Sequence, residues 1–366
     1  MKKLIVIFII LVGTVFAINE YVARGIYSQN GEFLDGENTD LKHPLGTLTK
    51  LMTALVVYDK VEEGKISFET QVRVLTSDLI VDGAKMSLKK DEMISVNDLL
   101  IGMILGDQNA AAMMLSRAVA GNENDFVKLM NEKAKKIGMK NTIFYTSTGI
   151  TSDFSKKKLD IGTIEDINKL IIQIRKNEKY SKLLQEKSQK IRENTLSVGN
   201  VNRFSLENPN ILPIKQGFFE GIGYNVAFSY KKDKNLYNVI FLGSMNEELK
   251  NQQVEEEVST LNNDFQTAIL VSRGEFMVEA PLYEGKTKTI SLYAAKDISL
   301  EIKSDWVLDK TILLPKKIKA PIKKGDKIGT YIVSHNGKEI GRIDLVAIEA
   351  HEKSNILDEI RKNFTR

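Results

Sequence analysis

The chain contains no cysteine, three histidines, six prolines and one tryptophan in 366 residues. The absence of cysteine excludes a disulfide framework, a thiolate zinc site and a cysteine nucleophile. None of the histidines, His43, His335 and His351, stands at a spacing that would put two on one helix face. A histidine-built metal centre is therefore disfavoured, and a Ser-His-Asp triad would rest on His43 alone. An excess of charge of one sign is missing too: 52 Lys+Arg face 48 Asp+Glu, a net of +4, which is too balanced to predict a nucleic-acid partner. What is present is a globular composition, 42% apolar and 27% charged. The length suits two or three domains at ~100–200 residues each. No internal repeat or low-complexity tract stands out.

The longest apolar run lies at the N-terminus. Lys2 and Lys3 precede Leu4 to Ala17, which ends in Val15-Phe16-Ala17 before Asn19-Glu20. This reads as a secretory signal, residues 1–17, because a bilayer span needs about 20 apolar residues. After it, Val22–Ser28 and Glu32–Leu34 flank Asn30-Gly31 and predict a β-hairpin. Leu48, Leu51, Met52, Leu55 and Val56 recur at helical spacing, so a buried helix is expected to begin near Thr47. Ser95 with Asp98 resembles a capping box that opens a helix through Ile104, interrupted at Gly106. Further helices are predicted over Ala110–Ala120, Phe126–Ile137 and Ile161–Lys176, the first two ended by Gly121 and Gly138. Strands return at Gly223–Tyr230 and Tyr237–Leu242. Helices enclosed between an early hairpin and late strands imply one sheet assembled from both ends of a domain. Glu247 to Val271 reads as helical. Beyond Arg273 short alternating runs (Thr287–Leu292, Ile298–Ile302, Lys327–Val333, Arg342–Ile348) predict a small all-β module. Ser354–Arg366 carries Ile356, Leu357, Ile360 and Phe364 on one face among basic residues. It reads either as a membrane-surface helix or as a terminal helix packed on its own domain.

Three short segments bring chemistry-bearing residues to element boundaries. Thr47 and Lys50 sit three apart in Gly46-Thr47-Leu48-Thr49-Lys50, at an expected helix start, with hydroxyl and amine on one face as a nucleophile and its base require. Gly106-Asp107-Gln108-Asn109 puts polar groups in a break between two apolar helices, and Lys215-Gln216-Gly217-Phe218 leads into a strand. Taken singly, each has a structural reading. Thr47 can satisfy backbone amides at a helix start, Asp107 and Asn109 can cap, and Lys215 can be a solvated turn lysine.

In order and surroundings, these segments resemble the serine D-alanyl-D-alanine carboxypeptidases. These are the low-molecular-mass penicillin-binding proteins related to β-lactamases, with Ser-x-x-Lys, Ser-x-Asn and Lys-Thr-Gly motifs in this sequence order. Pro44-Leu45-Gly46-Thr47-Leu48-Thr49-Lys50-Leu51-Met52-Thr53 is similar to the first motif region. Asp98-Leu99-Leu100 to Asn109-Ala110-Ala111-Ala112, then Met130-Asn131-Glu132-Lys133-Ala134 and Ile137-Gly138, is similar to the helical core. Lys215-Gln216-Gly217-Phe218 with Gly223-Tyr224 is similar to the third motif region. The departures fall on the chemistry: Thr47 replaces the family serine nucleophile, Asp107 the second-motif serine, and Gln216 the threonine of Lys-Thr-Gly. Lys50, Asn109, Lys215 and Gly217 are kept.

The resemblance implies an α+β fold, an antiparallel sheet flanked by helices in the β-lactamase/transpeptidase manner, followed by a small all-β domain. The expected boundaries are 1–17 signal, 18–272 carboxypeptidase-like domain, 273–350 β domain and 351–366 amphipathic terminal helix. It implies Thr47, Lys50 and Asp107 as the catalytic group and Asn109, Lys215, Gln216 and Gly217 as substrate-binding. The backbone amides of Thr47 and Phe218 would form the oxyanion hole. The implied partner is a peptidoglycan stem peptide ending in D-Ala-D-Ala, with β-lactams as further ligands, peripheral membrane contact through 354–366, no nucleic acid, and neither metal nor organic cofactor. The place of action would be extracytoplasmic. The methyl of Thr47 restricts χ1 and crowds a site built for ~3–3.5 Å attack. Asp107 between two amines would favour their charged forms, so that Asp107 itself would take or relay the proton. Gln216 would offer its amide to the substrate carboxylate. Two functions stay open: a slow threonine-based carboxypeptidase, and a silent relative that binds peptidoglycan as a scaffold. β-Lactam hydrolysis is disfavoured because no glutamate is evidently placed to activate a deacylating water.

Overall fold

The computed structural model describes residues 21–81, 83, 87–150, 158–204 and 208–355. The expected signal segment, 1–17, and the expected apolar face from Ile356 onward lie outside the described residues. The chain divides into two compact units. Of the described residues, the first holds those up to Gly25, within Gly36–Ser229 and within Asn238–Gln253; the second holds those within Ile26–Asp35, within Tyr230–Tyr237 and from Val254 on.

In the first unit a helix over Thr49–Glu62 forms the centre, and every residue from Thr49 to Tyr58 is buried. Such an all-round buried helix needs apolar side chains on every face, which Leu51, Met52, Ala54, Leu55, Val56 and Val57 supply. The helices Val96–Ile104, Asn109–Ala120, Glu123–Lys136, Ile164–Arg175 and Glu178–Gln185 complete the set used below. Their ends follow local chemistry. Ser95, Asn122 and Thr163 accept the N–H groups of Asp98, Asp125 and Asp166, and Gly121 closes its helix in the left-handed conformation. A five-stranded sheet, whose strands are divided between the residues of the two units, runs in the order Phe33–Glu37, Ala23–Ser28, Asn235–Ser244, Gly223–Lys232, Ile211–Phe219, so early and late segments both build it, as expected.

Several local expectations are corrected. The helix expected from Thr47 opens as a 3-10 turn, Gly46–Leu48, and becomes α-helical at Thr49. Ile161–Gly162 pairs with His43–Pro44 as a short ladder, and the following helix waits for its cap at Thr163. The Glu247–Val271 stretch is helical only to Asn263. Asn262-Asn263-Asp264 are weak helix formers, and Phe265–Val271 then pairs antiparallel with Ile298–Lys303. The hairpin Ser188–Ile191 with Leu196–Gly199, whose turn residues Arg192, Glu193 and Asn194 all have positive φ, carries no strong alternation and was not foreseen.

The second unit is mostly β. Its six-stranded sheet runs Leu308–Leu313, Lys327–His335, Lys338–Ala347, Thr289–Ala294, Phe276–Tyr283, Ile318–Lys319, antiparallel except for the last, parallel pair. Tyr331, Val333, Ile343, Leu345, Ile290 and Leu292 point into its core. The Asn336-Gly337 turn, both residues at positive φ, closes the hairpin between His335 and Lys338 in the way a two-residue loop demands.

Candidate active site

Thr47 stands in the 3-10 turn, buried to 4% exposure. Three groups hold that turn. Asn225 donates from Nδ2 to the carbonyls of Pro44 (2.9 Å) and Leu45 (3.0 Å) and accepts from the N–H of Gly243 (2.9 Å). The buried carboxylate of Asp160 accepts from Thr49 Oγ1 (2.8 Å) and Thr146 Oγ1 (2.7 Å), tying the first helical residue to the Tyr145–Thr146 loop. Gly149 presses against the turn so closely that a Cβ there would stand 1.7 Å from the Gly46 carbonyl oxygen. Asn225, Asp160 and Gly149 carry no motif spacing relative to Thr47, and sequence reasoning missed them.

Lys50, one turn further on, is 1% exposed. Its Nζ lies 3.0 Å from Asp107 Oδ1, and Lys215 Nζ lies 2.7 Å from the same oxygen. Asp107 occupies the break between the Val96–Ile104 and Asn109–Ala120 helices at φ 53, a left-handed conformation that aspartate tolerates better than most residues. Lys215 comes from the Ile211–Phe219 strand, which packs on the 3-10 turn. Thus three residues distant in sequence meet at one carboxylate oxygen. Asn109, buried at the next helix start, lies beneath Gly83, where a Cβ would meet its Nδ2 at 2.3 Å. Gly217 is needed for close approach: a Cβ there would stand 1.9 Å from Thr47 Oγ1.

The charge states differ from the sequence expectation. Burial pushes the Lys50 amine down to about 8; the Asp107 carboxylate opposes this and the Lys215 charge assists it. Burial also acts to raise the Asp107 carboxyl, but the Lys215 and Lys50 charges together outweigh it and hold Asp107 below the usual carboxylate range. The amine is therefore the better proton acceptor of the two, and the relay through Asp107 is the weaker route. Thr47 Oγ1 is buried with no hydrogen-bond partner among the described residues, Lys50 included.

Gln216 is fully engaged. Its Nε2 donates to the carbonyls of Val201 (3.1 Å) and Arg203 (3.0 Å), and its Oε1 accepts from Lys250 Nζ (3.0 Å). Lys250 in turn lies 5.1 Å from the centre of the Tyr224 ring, which meets Phe218 at 4.9 Å. Phe218 projects its ring outward, 52% exposed. The amide donors expected to be free for a substrate carboxylate are thus committed to the protein's own backbone.

This arrangement, a buried hydroxyl beside two lysines that share one carboxylate, lies within the span matched by the D-alanyl-D-alanine carboxypeptidase family model, residues 22–246. The chain belongs to that family. The C-terminal domain model of penicillin-binding protein 5 matches residues 265–353. The chain is 25% identical over 345 residues to the D-alanyl-D-alanine carboxypeptidase DacF of Bacillus subtilis, covering 93% of this chain and 87% of that one. It is 28% identical to DacC of Escherichia coli, covering 90% and 84%. The crystal structure of DacD from Francisella tularensis superposes with a TM-score of 0.75 at 19% identity over 91% of this chain and 94% of that one, a likeness of fold. The expected α+β architecture with a C-terminal β domain is therefore the fold of this family member.

Proposed function

We propose that the protein is an exported, extracytoplasmic D-alanyl-D-alanine carboxypeptidase that trims peptidoglycan stem peptides through a Thr47 acyl-enzyme. The observation that carries this reading is the meeting of the unpartnered Thr47 hydroxyl, the Lys50 amine pushed down to about 8, and Gly217 packed against Thr47. Thr47 Oγ1 attacks the carbonyl of the penultimate D-alanine, and its proton passes to neutral Lys50 Nζ. The oxyanion faces the N–H groups of Thr47 and Phe218. The C–N bond then breaks, and the lysine returns the proton to the departing amine of D-alanine. Water attacks the ester in the second half, again with Lys50 as base, and frees Thr47. Asp107 keeps Lys215 and Lys50 in place as their counter-ion, Asn109 lines the substrate groove, and β-lactams would enter the same site as acylating ligands. The terminal segment 354–366 would hold the protein at the membrane surface.

One observation favours the silent, peptidoglycan-binding alternative: the Gln216 carboxamide is already satisfied by Val201, Arg203 and Lys250, so it reaches a substrate carboxylate only by giving up bonds it holds. The deciding experiment measures D-alanine release from a diacyl-Lys-D-Ala-D-Ala peptide by wild type, Thr47→Ala and Thr47→Ser. Release by wild type, loss in Thr47→Ala and a faster Thr47→Ser, whose hydroxyl is freed of the crowding methyl, is the expected result. Wild-type release no greater than that of Thr47→Ala, with peptidoglycan still bound, would leave only the scaffold reading.

A further inference from the structure

Two buried ammonium groups pointing at one carboxylate oxygen cannot both be fully compensated, and the site needs a rule for which amine carries the proton. Asp107 Oδ1 faces Lys50 at 3.0 Å and Lys215 at 2.7 Å. Among the described residues no other charged side chain lies within ion-pair distance of either lysine, from the Thr49–Glu62 helix, the Asp107 loop or the Ile211–Phe219 strand. Coulomb repulsion between the amines means that the one with the poorer set of acceptors gives up its proton first.

The acceptor sets differ because of one residue that no motif contains. Asn202, 1% exposed, directs its Oδ1 at Lys215 Nζ at 2.8 Å, and the same oxygen receives the Gln216 N–H at 3.3 Å. Among the described residues Lys50 Nζ has Asp107 alone. The orientation of the Asn202 amide follows from its surroundings. Its Nδ2 donates to the Ile104 carbonyl at 2.7 Å and to Asn200 Oδ1 at 3.2 Å. Asn200 is fixed in turn, with its Nδ2 on the carbonyls of Leu184 (3.0 Å) and Glu186 (2.9 Å). Flipping Asn202 would set an NH2 group against an ammonium and a carbonyl oxygen against two acceptors, so the chain of amides admits one orientation.

We infer that Asn202 is the positioning residue that sorts the two lysines, giving Lys215 a second oxygen acceptor and leaving Lys50 as the amine that exchanges a proton with Thr47. The assignment of Lys50 as base rests on the proposed acyl-enzyme chemistry; the sorting itself does not. The low position of the Lys50 amine agrees with the geometry.

The test is NMR titration of isotope-labelled lysine side chains in the full chain, with the signals assigned from Lys50→Gln and Lys215→Gln. In wild type Lys50 loses its proton at lower pH than Lys215. Asn202→Leu removes the acceptor, and the gap between the two midpoints shrinks by about one pH unit, a tenfold loss of discrimination. Asn202→Asp keeps an oxygen on Lys215 and adds charge, and the gap widens; this variant carries the test where Asn202→Leu fails to fold. A structural role alone would lower the melting point and leave the gap unchanged. Lys215 titrating first in wild type, or a gap unmoved in the folded variants, overturns the inference. D-alanine release supplies an independent readout: its acid limb moves to higher pH in Asn202→Leu, because Lys50 then holds its proton harder. A chain without turnover whose lysines titrate as stated supports the sorting while removing the carboxypeptidase reading. An active chain with an unmoved gap overturns the sorting alone.

Discussion

Among the described residues one carboxylate stands between two lysines in two places, and the two behave oppositely. In the second unit Glu284 accepts Lys319 at 2.8 Å on one oxygen and Lys353 at 3.0 Å on the other, with all three side chains well exposed. The two ammonium hydrogen bonds pull the Glu284 carboxyl down to about 2, and the Lys319 amine moves up. In the first unit Asp107 meets Lys50 and Lys215 on a single oxygen, both lysines buried, and the Lys50 amine moves down instead. The stoichiometry is the same, and the solvent decides the sign. Water stabilises each ammonium around Glu284 independently, so each pair is a simple attraction. Around Asp107 the lost hydration disfavours the second positive charge by more than one carboxylate returns. A surface trio adds a weak, screened attraction, whereas a buried trio brings an amine from the usual lysine range down to about 8.

That contrast can be broken or sharpened by experiment. Asp107→Ala leaves two buried amines without a counter-ion and should lower stability by about 3–5 kcal/mol in urea unfolding. The matching Glu284→Ala should move the unfolding midpoint far less, because water screens an exposed ion pair. An equal response at the two sites would erase the distinction. Gly217→Ala drives a methyl into Thr47 Oγ1 and should cost about 1–3 kcal/mol together with any D-alanine release. Unchanged release would mean that the strand and the turn are not held as closely as described. The pH dependences should also differ. The folded state depresses Lys50 from 10.5 to about 8, so between those values it binds fewer protons than the unfolded chain, and stability from this group rises with pH across that window. Lys50→Met should abolish the rise, measured as melting temperature against pH. Glu284 contributes in the opposite window: its stabilisation is present above 4.5 and lost as pH falls through about 2. The smallest effect is that of salt. In 1 M NaCl the Glu284 titration should move back toward 4.5 while that of Lys50 stays in place, since screening at about 3 Å reaches exposed charges far better than buried ones.

Helices were legible where their spacing and caps agreed. Ser95, Gly121 and the apolar spacing from Leu48 to Val56 placed three of them within a few residues. Elements whose residues satisfy no strong period were not legible. The Ser188–Gly199 hairpin alternates weakly, and Phe265–Val271 continues a helical pattern until its partner strand claims it. In the candidate site the motif residues could be named from their order along the chain, and Thr47, Lys50, Asp107, Lys215 and Gly217 do come together. Asn225, Asp160, Asn202 and Lys250 could not be named, because an asparagine or lysine far from a motif looks like any surface residue until the fold buries it. The free amide of Gln216 was expected because its backbone and Lys250 partners come from remote segments, and the pull of Asp107 on Lys50 acts as expected while burial, invisible in the sequence, opposes it.

The residue order therefore settled the family, the α+β architecture with its β module, and the three positions where the motifs depart from it, because these depend on local spacing and residue type alone. Tertiary structure decided how those departures act. Burial sets which amine is basic, a distant asparagine sets which lysine keeps its proton, and two backbone carbonyls with Lys250 occupy Gln216. Each is a matter of desolvation and of partners drawn from remote segments, and neither quantity is defined until the chain has folded.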